Sequence, residues 1–179
     1  CVVKATEGAR GSGVFLAHTH QQARQLVNQM LERGMRPLVQ QYIQESHGKD
    51  IRVLVVGGRV VAAMRRRAVG NEFRSNFHLG GKVERVHLSE EQVRVALSAA
   101  NVLEMDIAGV DMLESRDGPL VLEVNSSPGL EGIEGASGVS IAGAVARHLN
   151  ASLENYRAQQ EIEAEIAQLD DLDVQYLTE

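Results

Sequence analysis

Residues 108–132 read AGVDMLESRDGPLVLEVNSSPGLEG, and this stretch decides the fold. Two apolar runs, Ala108 to Leu113 and Leu120 to Asn125, flank the turn signal Arg116-Asp117-Gly118, which predicts an antiparallel hairpin. Alternate side chains of a strand share a face, so Glu123 and Asn125 point the same way. Leu120, Leu122 and Val124 then take the other face, toward a core. Asp111 lies on the partner strand, within about one residue of being opposite Glu123. A turn of three or five residues puts both carboxylates on one face, and a turn of four does not; the sequence leaves that register open. Two carboxylates and an amide on one face make a hard, oxygen-rich, anionic site of the kind magnesium prefers. The plain alternative is a solvated polar face. The apolar strands beside these acids favour the metal reading, because carboxylates next to a buried sheet need a counter-ion.

Two further hairpins precede this one. Val2-Val3-Lys4 and Val14-Phe15-Leu16-Ala17 read as strands joined by a glycine-rich turn, residues 7–13, EGARGSG. Glycines there let backbone N–H groups approach a phosphate, but the same turn also serves as a plain mobile tip. It is neither a Walker A loop nor a dinucleotide fingerprint, since no Gly-Lys-Ser/Thr follows and the next segment is a strand. Ile51 to Val56 and Arg59 to Met64 flank Gly57-Gly58, a strong hairpin signal. Thr19 with Gln22, and Ser89 with Gln92, predict capped helices. Gly34 closes the first, and Val93, Ala96, Leu97 and Ala100 form one face of the second. Pro37 to Ile43 reads as a strand or extended connection. Residues 68–82 and 126–138 read as loops. A helix begins near Ser140 and runs to about Leu169, with a break expected near Asn150. Hairpins interleaved with helices predict an α+β fold with a largely antiparallel sheet flanked by helices.

The cationic residues cluster. Arg65-Arg66-Arg67 ends one strand, and alternation sends Arg66 to the face opposite Arg65 and Arg67. Phe73-Arg74-Ser75-Asn76 follows in the loop. Arginine suits bidentate recognition of phosphate or carboxylate, while an exposed basic strand end is the plainer reading. Asp50 and Arg52 open the second hairpin and read equally well as edge-strand charges. The histidines show no metal-ligand spacing, and no Ser/His/Asp arrangement is readable.

The chain has 179 residues and a net charge of −6. From Asn150 onward there are eight acids and one Arg, so residues 1–149 carry a net +1. That body has no field to attract nucleic acid or a membrane. No apolar run approaches the ~18 residues of a membrane span, and no signal peptide is visible. One cysteine forms no internal disulfide, which fits a reducing, cytoplasmic compartment. Cys1 is not an initiator methionine, so the chain is read as an N-terminally truncated piece. Residues 150–179 read as an acidic amphipathic tail with Leu153, Tyr156, Ile162 and Ile166. It suits docking, self-association into a homo-oligomer, or simple solvation.

Taken in order, these elements resemble the ATP-grasp superfamily, and within it the RimK-type ligases that add glutamate to the C-terminus of a small-subunit ribosomal protein. The resemblance rests on Val2-Val3-Lys4, Glu7-Gly8 to Val14, Leu38 to Ile43, Asp50-Ile51-Arg52, Phe73 to Asn76, Ala108 to Asp111 and Glu123 to Gly132. It covers residues 1–149. It implies a partial ATP-grasp fold and an ATP-dependent acid–amino-acid ligase. In this reading Lys4, Gly8, Gly11, Ser12, Gly13, Gln41, Tyr42, Ile43, Asp50, Arg74, Ser75 and Asn76 bind ATP. Arg66, Arg74 and Asn76 serve the reaction, and Asp111, Glu123 and Asn125 hold Mg2+ or Mn2+, as two ions. The implied partners are ATP, glutamate and a protein C-terminus. Gln41 departs from the family, which usually has Glu there; a main-chain contact to adenine survives the change. The rival readings are a ligase acting on a small metabolite or carrier protein, and a non-catalytic nucleotide-binding fragment.

Overall fold

The computed structural model describes residues 1–7, 13–70, 72–75 and 81–176, with side chains to residue 166. The chain forms two compact units, Cys1–Val139 and Ser140–Glu179.

The first unit holds two antiparallel sheets. In the smaller, β1 (Val2–Ala5) lies between β2 (Val14–Leu16) and β3 (Pro37–Gln40). Helix α1 (His20–Glu32) packs on it through Met30, which meets Val3 and Ala17 in a small core. Thr19 caps α1 by accepting the N–H of Gln22, while the Gln22 side chain accepts from His18 rather than from Thr19. Gly34, at φ 72°, turns the chain after α1, a conformation open to glycine at little cost.

The larger sheet has the order β6-β5-β4-β7-β8, with β4 (Lys49–Val56), β5 (Arg59–Arg67), β6 (Lys82–Arg85), β7 (Ile107–Ser115) and β8 (Gly118–Asn125). Gly57 and Gly58, at φ 56° and 69°, supply the two positive values that a tight β4–β5 hairpin needs. Ile51, Val53 and Val55 of β4 share one face with Val110 and Met112 of β7. Helix α2 (Glu90–Val102) covers that face with Ala96 and Ala100. Small residues on the helix let it approach closely, and the capping box of Ser89 and Gln92 fixes its start. The other face of β4 carries Asp50 and Arg52, and β4 is central, between β5 and β7. Those two residues are therefore not edge-strand charges.

Two elements were not foreseen, strand β6 at the end of the expected loop 68–82 and helix α3 inside the expected loop 126–138. Strand β6 is a short charged edge, Lys-Val-Glu-Arg, with too little apolar periodicity to announce itself. Helix α3 (Glu131–Ser137) contains Gly132 and Gly135, which depress helix propensity. Burial of Ile133 and a left-handed Gly138 at its end offset that cost.

The second unit is dominated by helix α4 (Ile141–Tyr176), started by the Ser140 hydroxyl accepting from the N–H of Gly143. It continues through Asn150 without the expected break. Leu149, Leu153, Tyr156, Ile162 and Ile166 are exposed along it. Among the described residues no helix is long and apolar enough to cross a membrane.

Candidate active site

The β7–β8 turn has only two central residues, Arg116 and Asp117, because Ser115 pairs with Gly118. That even count alone would set Asp111 opposite Leu122 and turn Glu123 to the α2 side. A β-bulge prevents this. Met112 pairs with Val121, but Asp111 pairs with Glu123, so Leu122 is the extra residue. The shift puts Asp111, Glu123 and Asn125 on one face. It also corrects the expectation for Leu122, which lines the cleft on that face instead of joining the core.

This cleft, of about 710 Å³, lies between the two sheets. It gathers Lys4 from β1, Gln41, Tyr42 and Ile43 after β3, Asp50 from β4 and Arg66 from β5. Arg74 and Ser75 join them from the loop after β5, with Asp111, Glu123 and Asn125 from the hairpin. Gly13 adjoins β2 at φ 76° and is not among the cleft-lining residues. Gly8, Gly11, Ser12 and Asn76 lie outside the described residues.

A chain of four charges runs across the cleft floor. The Arg66 guanidinium donates to both oxygens of Asp50 at 2.6 Å and to Asp111 Oδ2 at 2.7 Å. Arg52 forks onto Asp111, with Nε on Oδ1 and Nη2 on Oδ2, both at 2.7 Å. Strand register explains the chain, because Asp50 pairs with Arg66 and Arg52 with Asp111. Burial by itself would lower the Arg66 pKa, but hydrogen bonds and charge from Asp50 and Asp111 raise it well above its ordinary value. Sequence reading named Arg52 beside Asp50 but gave it no role in the site, although the spacing already put both on one face. Arg65 and Arg67 point to the other side, where they pair with Glu114 and Glu84.

Glu72 was also missed. It clamps Arg74, accepting Nε at 3.0 Å, Nη2 at 2.8 Å and the Arg74 backbone N–H at 3.1 Å. Hydrogen bonding by the Arg74 side chain is the chief reason its pKa falls from 4.5 to about 2. The carboxylate's folded pKa is depressed, so the pair stabilises the fold fully above pH 4.5 and loses that contribution as pH falls toward about 2. The stability difference between wild type and Glu72→Gln should shrink over the same interval in an acid titration. With about a third of each side chain exposed, screening keeps that difference small.

Tyr42 is hydrogen-bonded to His47 Nδ1, with the rings edge to face, and burial raises the Tyr42 pKa.

Gly109 explains how the loop after β8 reaches the floor. A Cβ there would sit 2.6 Å from Pro128 Cβ, and Asn125 Nδ2 donates to the Gly109 carbonyl at 3.3 Å. Gly109→Ala should therefore lift the Pro128 segment and cost about 1–3 kcal/mol, as overpacking does, measurable by urea denaturation. An unchanged midpoint would mean the loop yields freely.

Among the described residues no three His, Cys, Asp or Glu side chains converge on a common cation position. Asp111, Glu123 and Asn125 instead offer two carboxylates and an amide. That set fits magnesium, which commonly takes one or two protein carboxylates and completes its shell with substrate phosphates and water.

Comparison with known proteins agrees with this architecture. A probable alpha-L-glutamate ligase of Aeromonas salmonicida is 50% identical over 160 residues, covering 88% of this chain and 54% of that protein. One of the same description from Rhodopirellula baltica is 50% identical over 153 residues, covering 86% and 38%. The chain thus spans about half or less of the length of these relatives. Among solved structures, the ATP-grasp ligase PsnB, complexed with a phosphomimetic variant of its minimal precursor, Mg and ADP, superposes with a TM-score of 0.61 at 25% identity. That match covers 84% of this chain and 45% of PsnB. The D-alanine–D-alanine ligase of Bacillus anthracis shares the fold, with a TM-score of 0.63 at 20% identity over 89% of this chain and 55% of the ligase. Residues 1–149 match the RimK-like ATP-grasp domain, and the chain belongs to that family.

Proposed function

We propose that the full-length protein is an ATP-dependent carboxylate–amine ligase that adds glutamate to the C-terminus of a polypeptide, a ribosomal protein in the RimK manner. The observation that carries this reading is the single cleft where Lys4, Asp50, Arg66, Arg74, Asp111, Glu123 and Asn125 meet. The names of the Aeromonas and Rhodopirellula relatives support glutamate as the amine. The Mg and ADP bound to PsnB support the nucleotide and metal, and its bound precursor supports a polypeptide acceptor.

In this reaction an acceptor carboxylate oxygen attacks the γ-phosphorus of ATP, giving an acyl phosphate and ADP. The glutamate amine then attacks the acyl carbon, loses a proton, and inorganic phosphate leaves as the amide forms. Gln41 to Ile43 border the adenine end of the cleft, where their backbone offers donors and acceptors. Lys4 and Arg74 neutralise phosphate charge, and Arg66 holds the floor carboxylates in place. Asp111, Glu123 and Asn125 would hold Mg2+ or Mn2+, as two ions, which when bound neutralise the charge of the transferring phosphoryl group.

Calorimetric titration of ATP into this chain, with and without magnesium, tests the reading. Magnesium-dependent binding is expected. A folded chain that binds neither ATP nor ADP with magnesium present would overturn it for this chain.

A further inference from the structure

The candidate metal ligand Asp111 already serves two arginines. Its Oδ2 accepts from both Arg52 and Arg66, and its Oδ1 accepts from Arg52 Nε, all at 2.7 Å. A carboxylate offers about four lone-pair sites on its two oxygens. With both Oδ2 sites engaged, a cation must approach Oδ1, the oxygen that Arg52 covers. It would then stand against a guanidinium, like charge against like.

The two arginines are not equally free to yield. Arg66 is 5% exposed and is held by Asp50 as well, at 2.6 Å. Arg52 is 13% exposed, lines the cleft, and among the described contacts engages Asp111. It runs beside Gly109, its Nε 3.9 Å from where a Cβ there would stand.

Resting on the nucleotide and metal reading above, we propose that Arg52 is the gate of the metal site. It occupies Asp111 until a phosphate in the cleft draws it off. A divalent cation alone must displace Arg52 with nothing to receive it. A cation arriving with a nucleotide exchanges partners: Asp111 passes from Arg52 to the metal, and Arg52 passes from Asp111 to phosphate oxygens. Free metal is thereby disfavoured, and the two ligands bind with positive coupling.

The test is the affinity for Mn2+ alone, read by calorimetry and by the electron spin resonance of free Mn2+, without nucleotide. Arg52→Gln is expected to tighten Mn2+ binding at least tenfold, because a neutral side chain no longer opposes the cation. Arg52→Lys loses the fork but keeps the positive charge that opposes the cation, and is expected to stay within about threefold of wild type. Both variants leave Asp111 paired with Arg66, so no buried charge is orphaned. Should Arg52→Gln not fold, Arg52→Met, neutral and of similar length, replaces it with the same expectation.

Unchanged or weaker Mn2+ binding in the neutral variant overturns the gate, as does equal tightening in Gln and Lys. ADP binding measured with Mn2+ present separates the two levels of argument. If ADP and Mn2+ bind together but the neutral variant leaves Mn2+ affinity unmoved, only the gate fails. If no variant binds either ligand, the nucleotide reading fails and the gate with it.

Discussion

Arg66→Ala is expected to destabilise the protein by about 3–5 kcal/mol, the usual cost of removing one partner from a buried ion pair. The Arg66 side chain is 5% exposed and bonds two carboxylates that are 4% and 2% exposed. Its removal leaves the buried Asp50 without that counter-ion, while Asp111 retains Arg52. The loss therefore comes mainly from stranding Asp50, together with the cavity left by the long side chain. Urea denaturation followed by circular dichroism measures it. Arg67→Ala is the control, since Arg67 and its partner Glu84 are both more than two-fifths exposed and such pairs contribute less than about 1 kcal/mol. Equal effects at the two positions would show that the charge chain on the cleft floor is solvated in practice.

Glu123→Ala should behave in the opposite way. Glu123 is exposed, and its described contact is a 3.4 Å bond from Asn125. Surface changes of this kind usually alter stability by less than about 0.5 kcal/mol. On the proposed function, however, Glu123 is a metal carboxylate. Its loss removes several kcal/mol of transition-state stabilisation, which lowers turnover by at least about a hundredfold in the full-length enzyme. Asp111→Ala should abolish turnover too, but with a loss of stability, because Arg52 and Arg66 both depend on it. A stable Glu123→Ala enzyme with near-normal turnover would remove Glu123 from the metal site.

These contrasts show which parts of the site were legible in the sequence. Residue types and order were enough to bring Asp111, Glu123 and Asn125 forward, and Gly57-Gly58 and Ser89/Gln92 announced their turn and cap directly. The register was not legible. Whether Asp111 faces Glu123 depends on a bulge at Leu122, and nothing local about Leu122 distinguishes it from its apolar neighbours. The salt chain was half legible, since alternation placed Arg66 away from Arg65 and Arg67. Asp50 lies across the same hairpin, but Asp111 came from a different one and required strand order, a non-local property. Helix α3 was hidden for a related reason. Its glycines argue against a helix locally, and the burial of Ile133 that offsets them is visible only in three dimensions.

The bulge at Leu122 has a consequence for how this hairpin tolerates insertions and deletions. The site depends on the number of residues between Asp111 and Glu123 as much as on their identity. Deleting Leu122 removes the extra residue and leaves an unbroken ladder in which Glu123 follows Val121 directly and still lies opposite Asp111. A paired change of two residues at the tip preserves parity and leaves both acids on the cleft side. A single-residue deletion can be offset by loss of the bulge, whereas a single-residue insertion has to be taken up in the turn or else turns Glu123 toward helix α2. Deletion of Leu122 is therefore expected to leave both acids on the cleft side, and a one-residue insertion beside it is expected to separate them, a contrast that magnesium-dependent nucleotide binding by the two variants would display.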